Sequence, residues 1–135
     1  MKPIFFYAGV FLVSCSTLML EIIQTRILSV VVWYHLAFFV ISLAMFGLTA
    51  GAVWVYLNRI RFTGKTLAYD LSYFSALFAL TSAICLAVQM TLAPVVTRLA
   101  TTFWIWAELA LCVSVPLFFS GVIISLALTR SPSPI

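Results

Sequence analysis

Between Arg26 and Arg59 the chain runs for 32 residues without a charged side chain, and His35 is the only group in that stretch that titrates near neutrality. As one straight helix at 1.5 Å per residue the stretch would measure about 48 Å, against a hydrocarbon core of about 30 Å. It must therefore tilt steeply, break, or begin with a piece lying at the membrane boundary. Residues 27–34 are the expected extra piece, because Trp33, Tyr34 and His35 form the amphipathic cluster that favours an interface.

The rest of the chain has the same character. Of 135 residues, 65% are hydrophobic and 7% charged, and the mean hydropathy is +1.25. No water-soluble domain of this length can bury so much apolar side chain. A span needs roughly 20 apolar residues, which leaves room for about four. They are predicted at residues 3–24, 35–57, 71–92 and 103–128, separated by the polar loop 58–70 and by the short connection around Pro94 and Arg98. Long apolar runs, rather than strict alternation, argue against a β-barrel. The expected fold is all-α: a single polytopic membrane domain over residues 1–135, a bundle of about four transmembrane helices with an interfacial or broken segment before helix two. Leu12, Val13, Ser14 and Cys15 loosely match a lipoprotein leader, but a lone Lys2 before them and apolar sequence on to Leu20 favour an ordinary first helix.

Seven basic residues against three acidic ones give a net charge of +4. The basic residues are scattered rather than interleaved with aromatics, so the charge points to membrane topology and not to nucleic acid. With four spans, Lys2, Arg59, Arg61, Lys65 and Arg130 share one side and Arg26 and Arg98 the other. That asymmetry places both termini in the cytoplasm, with the lipid bilayer of a bacterial inner membrane as the first partner. Cys15, Cys85 and Cys112 show no metal-ligand spacing, and no Walker, G-x-G-x-x-G or G-x-S-x-G element is present. No catalytic residue, metal or cofactor is expected on this chain.

The polar residues inside apolar sequence are the candidates for function, since charge in a span costs ~3 kcal/mol on insertion scales. They are Glu21, Thr25, Arg26, His35 and Glu108. Glu21 and Arg26 lie five residues apart, about 140° around one helix, so they do not stack on each other. Glu21 shares a face with Gln24 and Thr25. Gly47 and Gly51 form a G-x-x-x-G pattern expected to pack within this chain or its own larger protein. Pro116 is expected to kink the fourth helix.

The run LEIIQTRILSVV, the aromatic cluster after it, and then FFVISLAMFGLTAGA together resemble the first two membrane helices of the membrane-bound spermidine synthase-like proteins. The most recognisable part of the likeness falls on Glu21, Thr25 and Arg26, and a less specific likeness continues to the terminal TRSP. The resemblance implies a membrane domain that precedes a cytoplasmic Rossmann-type domain related to aminopropyltransferases and S-adenosylmethionine-dependent methyltransferases. Relatives of this kind continue past the position of Pro134 into further helices and the catalytic domain, so the expectation is a truncated or split member. It would be non-catalytic by itself, anchoring or serving a catalytic domain that is absent here or supplied by another chain, with Glu21 and Glu108 attracting a cationic amine. Two other readings stay open. One is a packing subunit of a larger membrane complex. The other is a small four-helix transporter of cationic compounds; such exporters place an acid within the membrane, whereas Glu21 follows eighteen apolar residues and has Arg26 nearby.

Overall fold

In lipid a backbone polar group has no water to turn to, so apolar sequence of this length closes its hydrogen bonds within helices. The computed structural model describes residues 3–31, 36–58, 67–92 and 102–130. They form four helices: α1 (Pro3–Val31), α2 (Leu36–Leu57), α3 (Leu67–Leu92) and α4 (Thr102–Arg130). Pro3 opens α1 at the one helical position where a missing N–H costs nothing. Asp70 in the first turn of α3 complements the helix dipole. Hydroxyls within the helices donate back to their own turns, as Thr49 does to the Met45 carbonyl at 2.8 Å and Thr81 to the Leu77 carbonyl at 2.7 Å. This back-bonding satisfies the hydroxyls without a partner helix.

All four helices are long and apolar enough to cross a membrane, over Ile4–Ile27, Phe38–Leu57, Leu67–Thr91 and Trp106–Thr129, and among the described residues there is no strand. The chain is an all-α, four-helix membrane bundle. α4 is its axis: it packs on all three other helices, and 56% of its span is buried, against 11% of the α3 span. Val113, Leu117, Val122 and Leu126 on α4 are fully buried.

Register follows from the contacts. Gly47 faces Leu117 and Gly51 faces Val122, so α2 and α4 run parallel. Phe74 stacks on Phe119, with centroids 6.4 Å apart, Leu67 at the start of α3 packs by Val122 and Leu126 late in α4, and Phe78 further along α3 shares a cluster with Val113 and Leu117, so α3 runs antiparallel to both. The backbones of α2 and α4 approach so closely that a Cβ built on Gly47 would lie 2.7 Å from the Ser114 carbonyl oxygen, and one on Gly51 would lie 2.9 Å from the Val122 nitrogen and collide with the Phe118 carbonyl. Gly121 offers the reciprocal gap to Leu48. At the end of the bundle nearer both chain ends, Trp54 meets Phe74 and Phe118 edge to face, and Val55, Val122 and Leu126 close the core beside them.

Two boundaries differ from the sequence expectation. Residues 27–31 continue α1 instead of forming a piece ahead of helix two, so the first helix runs past residue 24 to Val31. No glycine or proline interrupts this segment, and Ile27 packs on the core, which gives the helix reason to continue. Of the long uncharged stretch, α1 takes the residues up to Val31 and α2 those from Leu36, and residues 32–34 of the expected piece lie outside the described residues. α3 likewise begins at Leu67 rather than 71, because Leu67 and Leu71 both cover the apolar cluster at that end.

Candidate functional site

α1 turns one stripe inward. Val13, Thr17, Leu20, Gln24 and Ile27 recur at intervals of four and three residues, the period of a single helix face. Two of these five positions are polar, and they are treated differently. The Thr17 hydroxyl donates to the Val13 carbonyl at 2.8 Å and meets the Ser120 hydroxyl of α4, so both buried hydroxyls are satisfied. Gln24 is fully buried, and neither its amide oxygen nor its amide nitrogen has a hydrogen-bond partner among the described residues. Gln89 on α3 is in the same state, at 3% exposure. A buried amide left unpaired costs about 1–3 kcal/mol. Pro116 lies one turn beyond Cys112 in α4, and its missing N–H withdraws the helical donor for the Cys112 carbonyl.

The same register fixes the depth of Glu21. With Thr17 opposite Ser120 in helices of opposite direction, Leu20 lies level with Leu117, which in turn faces Gly47 at the centre of the α2 span. Glu21 therefore sits within about one helical turn, ~5 Å, of the middle of the bundle. It is half-buried, on the flank of the stripe that carries Thr17 and Gln24.

The other expected residues are dispersed. Arg26 is exposed, and neither it nor Glu21 forms an ion pair with a described residue. The Thr25 hydroxyl is spent on its own helix, bonding the Glu21 and Ile22 carbonyls. Glu108 is exposed near the start of α4, well away from Glu21 along the bundle. His35 lies outside the described residues. Gly47 and Gly51 serve the α2–α4 seam, and Pro116 is buried within α4. Among the described residues no group of three or more His, Cys, Asp or Glu side chains is placed to hold a metal ion. What the sequence reading missed is the inward polar set of Thr17, Ser120, Gln24 and Gln89. For the α1 members the signal was the four-three spacing of the stripe.

Chemically, the bundle offers one carboxylate at mid-depth with an unpaired amide one turn away on the same helix. Such a pair can accept hydrogen bonds from a cationic or neutral donor. Comparison with protein-family models, with curated proteins and with solved structures yields no match.

Proposed function

We propose that this chain is the membrane-embedded module of a spermidine synthase-like protein, non-catalytic by itself, which anchors and serves a cytoplasmic Rossmann-type domain. The observation that carries the reading is the depth of Glu21. A carboxylate near the middle of the bundle is costly enough to require a use, and it falls in the α1 segment on which the resemblance rests. In this reading Glu21 attracts a cationic amine, Gln24 offers it a hydrogen-bond acceptor, and α4 holds α1 in place through the Thr17 and Ser120 hydroxyls. The excess of Lys and Arg on the side of the termini supports a cytoplasmic position for the partner domain, in a bacterial inner membrane.

The test is the intact mass of the product from its native locus, solubilised in mild detergent, with identification of what co-purifies. A Rossmann-type domain, either on the same polypeptide or alongside a 15.0 kDa chain, is the expected result. A 15.0 kDa chain that runs alone contradicts it.

A second reading is favoured by the same depth: a four-helix transporter of cationic compounds, which needs its acid within the membrane. Proton-coupled uptake of a cationic dye by vesicles holding the purified chain, lost in Glu21→Gln, would support it. Vesicles with correctly inserted protein and no uptake would reject it.

A further inference from the structure

The contacts that join the helices are unevenly shared. The glycine seam fixes α2 to α4, where a Cβ at Gly47 or Gly51 would strike the α4 backbone. Ring contacts tie α3 to both, through Trp54 on Phe74 at 5.9 Å and Phe74 on Phe119 at 6.4 Å. α1 meets α4 through the Thr17 and Ser120 hydroxyls, and a Cβ on its own glycine, Gly9, would meet nothing within 4 Å. Burial does not separate the two outer helices, since 17% of the α1 span and 11% of the α3 span are buried. What separates them is the kind of contact. Past the hydroxyl pair, α1 lays Leu20 and Ile27 against the core, and between them stands Gln24, fully buried with both amide atoms unpaired. An apolar face that leaves its neighbour in a membrane meets lipid tails of like character and gives up little. The amide gains by leaving, because water or a ligand can then pair it.

We propose that α1 is the moving element of the bundle. It swings on the Thr17–Ser120 hydroxyl pair, between a docked position that shuts Gln24 in the core and an open one in which Gln24 and its neighbour Glu21 meet water or a ligand. Gln24 lies seven residues beyond the pivot, a lever of about 10 Å. Transmembrane helices commonly tilt by about 20°, and a swing of that size carries Gln24 between 3 and 4 Å, roughly. A water molecule is about 2.8 Å across, so the displacement is enough to admit one. The unpaired amide weighs on the docked position alone, which keeps the open one within reach. The inference concerns how the interior opens and not what enters it, so it stands apart from the amine reading.

The chain itself supplies the comparison, because its two glutamines, Gln24 and Gln89, are both buried and unpaired. Only Gln24 is on the helix proposed to move. Counted from Thr17 on Ser120, Gln24 lies level with Val113; counted from Phe74 on Phe119, Gln89 lies level with Trp104, at the start of α4. Gln24 is therefore the deeper of the two by about 13 Å. In a static bundle the shallower Gln89 exchanges its amide protons with water first. The swing reverses that order.

The experiment places the unmodified chain, labelled with side-chain 15N glutamine, in mild detergent and reads the exchange of each amide with water by magnetisation transfer, the signals being assigned with Gln24→Leu and Gln89→Leu. Gln24 should exchange faster than Gln89 by roughly tenfold or more, as a local opening does. Slower or equal exchange at Gln24 would overturn the proposal. A second measurement keeps both amides and labels lipid-exposed positions with spin labels, after Cys15→Ser, Cys85→Ala and Cys112→Ala. Labels at Ile23→Cys on α1 and Ile84→Cys on α3 should show two distances, while Met45→Cys on α2 with Ile84→Cys shows one; all three positions are exposed. Adding Gln24→Leu should lower the second distance by roughly tenfold in population, because the docked helix no longer strands an amide. A single α1 distance, or a second one that Gln24→Leu leaves unchanged, would refute the swing.

Discussion

Toward the chain ends, the interior of the bundle is filled by Trp54, Phe74, Phe118 and Phe119, in ring contacts that join α2, α3 and α4. Toward the other end, Gln24 and Gln89 take positions more deeply buried than those of the half-buried rings. Phe39 and Trp106 meet edge to face near that end, where Val40 and Leu109 are buried as well as the two amides. The contrast teaches which contacts hold the bundle. Lipid tails are as apolar as leucine, so helices gain little from hiding apolar surface and associate through close backbone approach and dense packing. The glycine seam and the ring cluster supply both. The amides supply neither and cost stability, so they are the part of the interior whose chemistry fold maintenance does not explain.

The largest expected effect breaks the scaffold half. Gly51→Leu places a side chain where even a Cβ would meet the α4 backbone, and overpacking of this kind costs about 3 kcal/mol or more. Unfolding by sodium dodecyl sulfate from mild detergent, followed by far-UV circular dichroism, should show the midpoint falling sharply. The next effect has the opposite sign. Gln24→Leu removes an unpaired amide from the core and should stabilise by about 1–3 kcal/mol in the same assay. Destabilisation instead would mean that the amide has a partner it depends on.

How far this contrast was legible from sequence depends on the residue. Helix number and approximate limits follow from uncharged runs, and the division of residues 27–58 between two helices follows from a stretch too long for the bilayer. The membership of residues 27–31 did not, since nothing local marks the end of α1. Gly47 and Gly51 were visible as a spacing, but their partner, the backbone around Phe118 and Val122, required the register of α2 on α4. Inward faces are hard to read in a membrane helix because lipid-facing and core-facing positions are both apolar. α2 is apolar around its whole circumference, whereas Thr17 and Gln24 mark the inward stripe of α1. The depth of Glu21 in the bundle likewise needs the register: Leu20 lies level with Leu117 only once Thr17 is placed opposite Ser120.

Two smaller effects sharpen the comparison. Thr17→Val breaks the hydroxyl contact with Ser120 and should cost about 0.6 kcal/mol, the usual worth of an interhelical hydrogen bond in a membrane. Gly9→Ala is the control for the glycine seam. A Cβ there meets nothing within 4 Å, so its unfolding midpoint should match the parent within about 0.5 kcal/mol.

The most direct test of the division between scaffold and polar interior is the unfolding free energy of Gly51→Ala measured beside that of Gln24→Leu, in one detergent and one titration. The account predicts opposite signs, with the methyl group at Gly51 weakening the bundle and the loss of the amide at Gln24 strengthening it. Two changes of the same sign would contradict it.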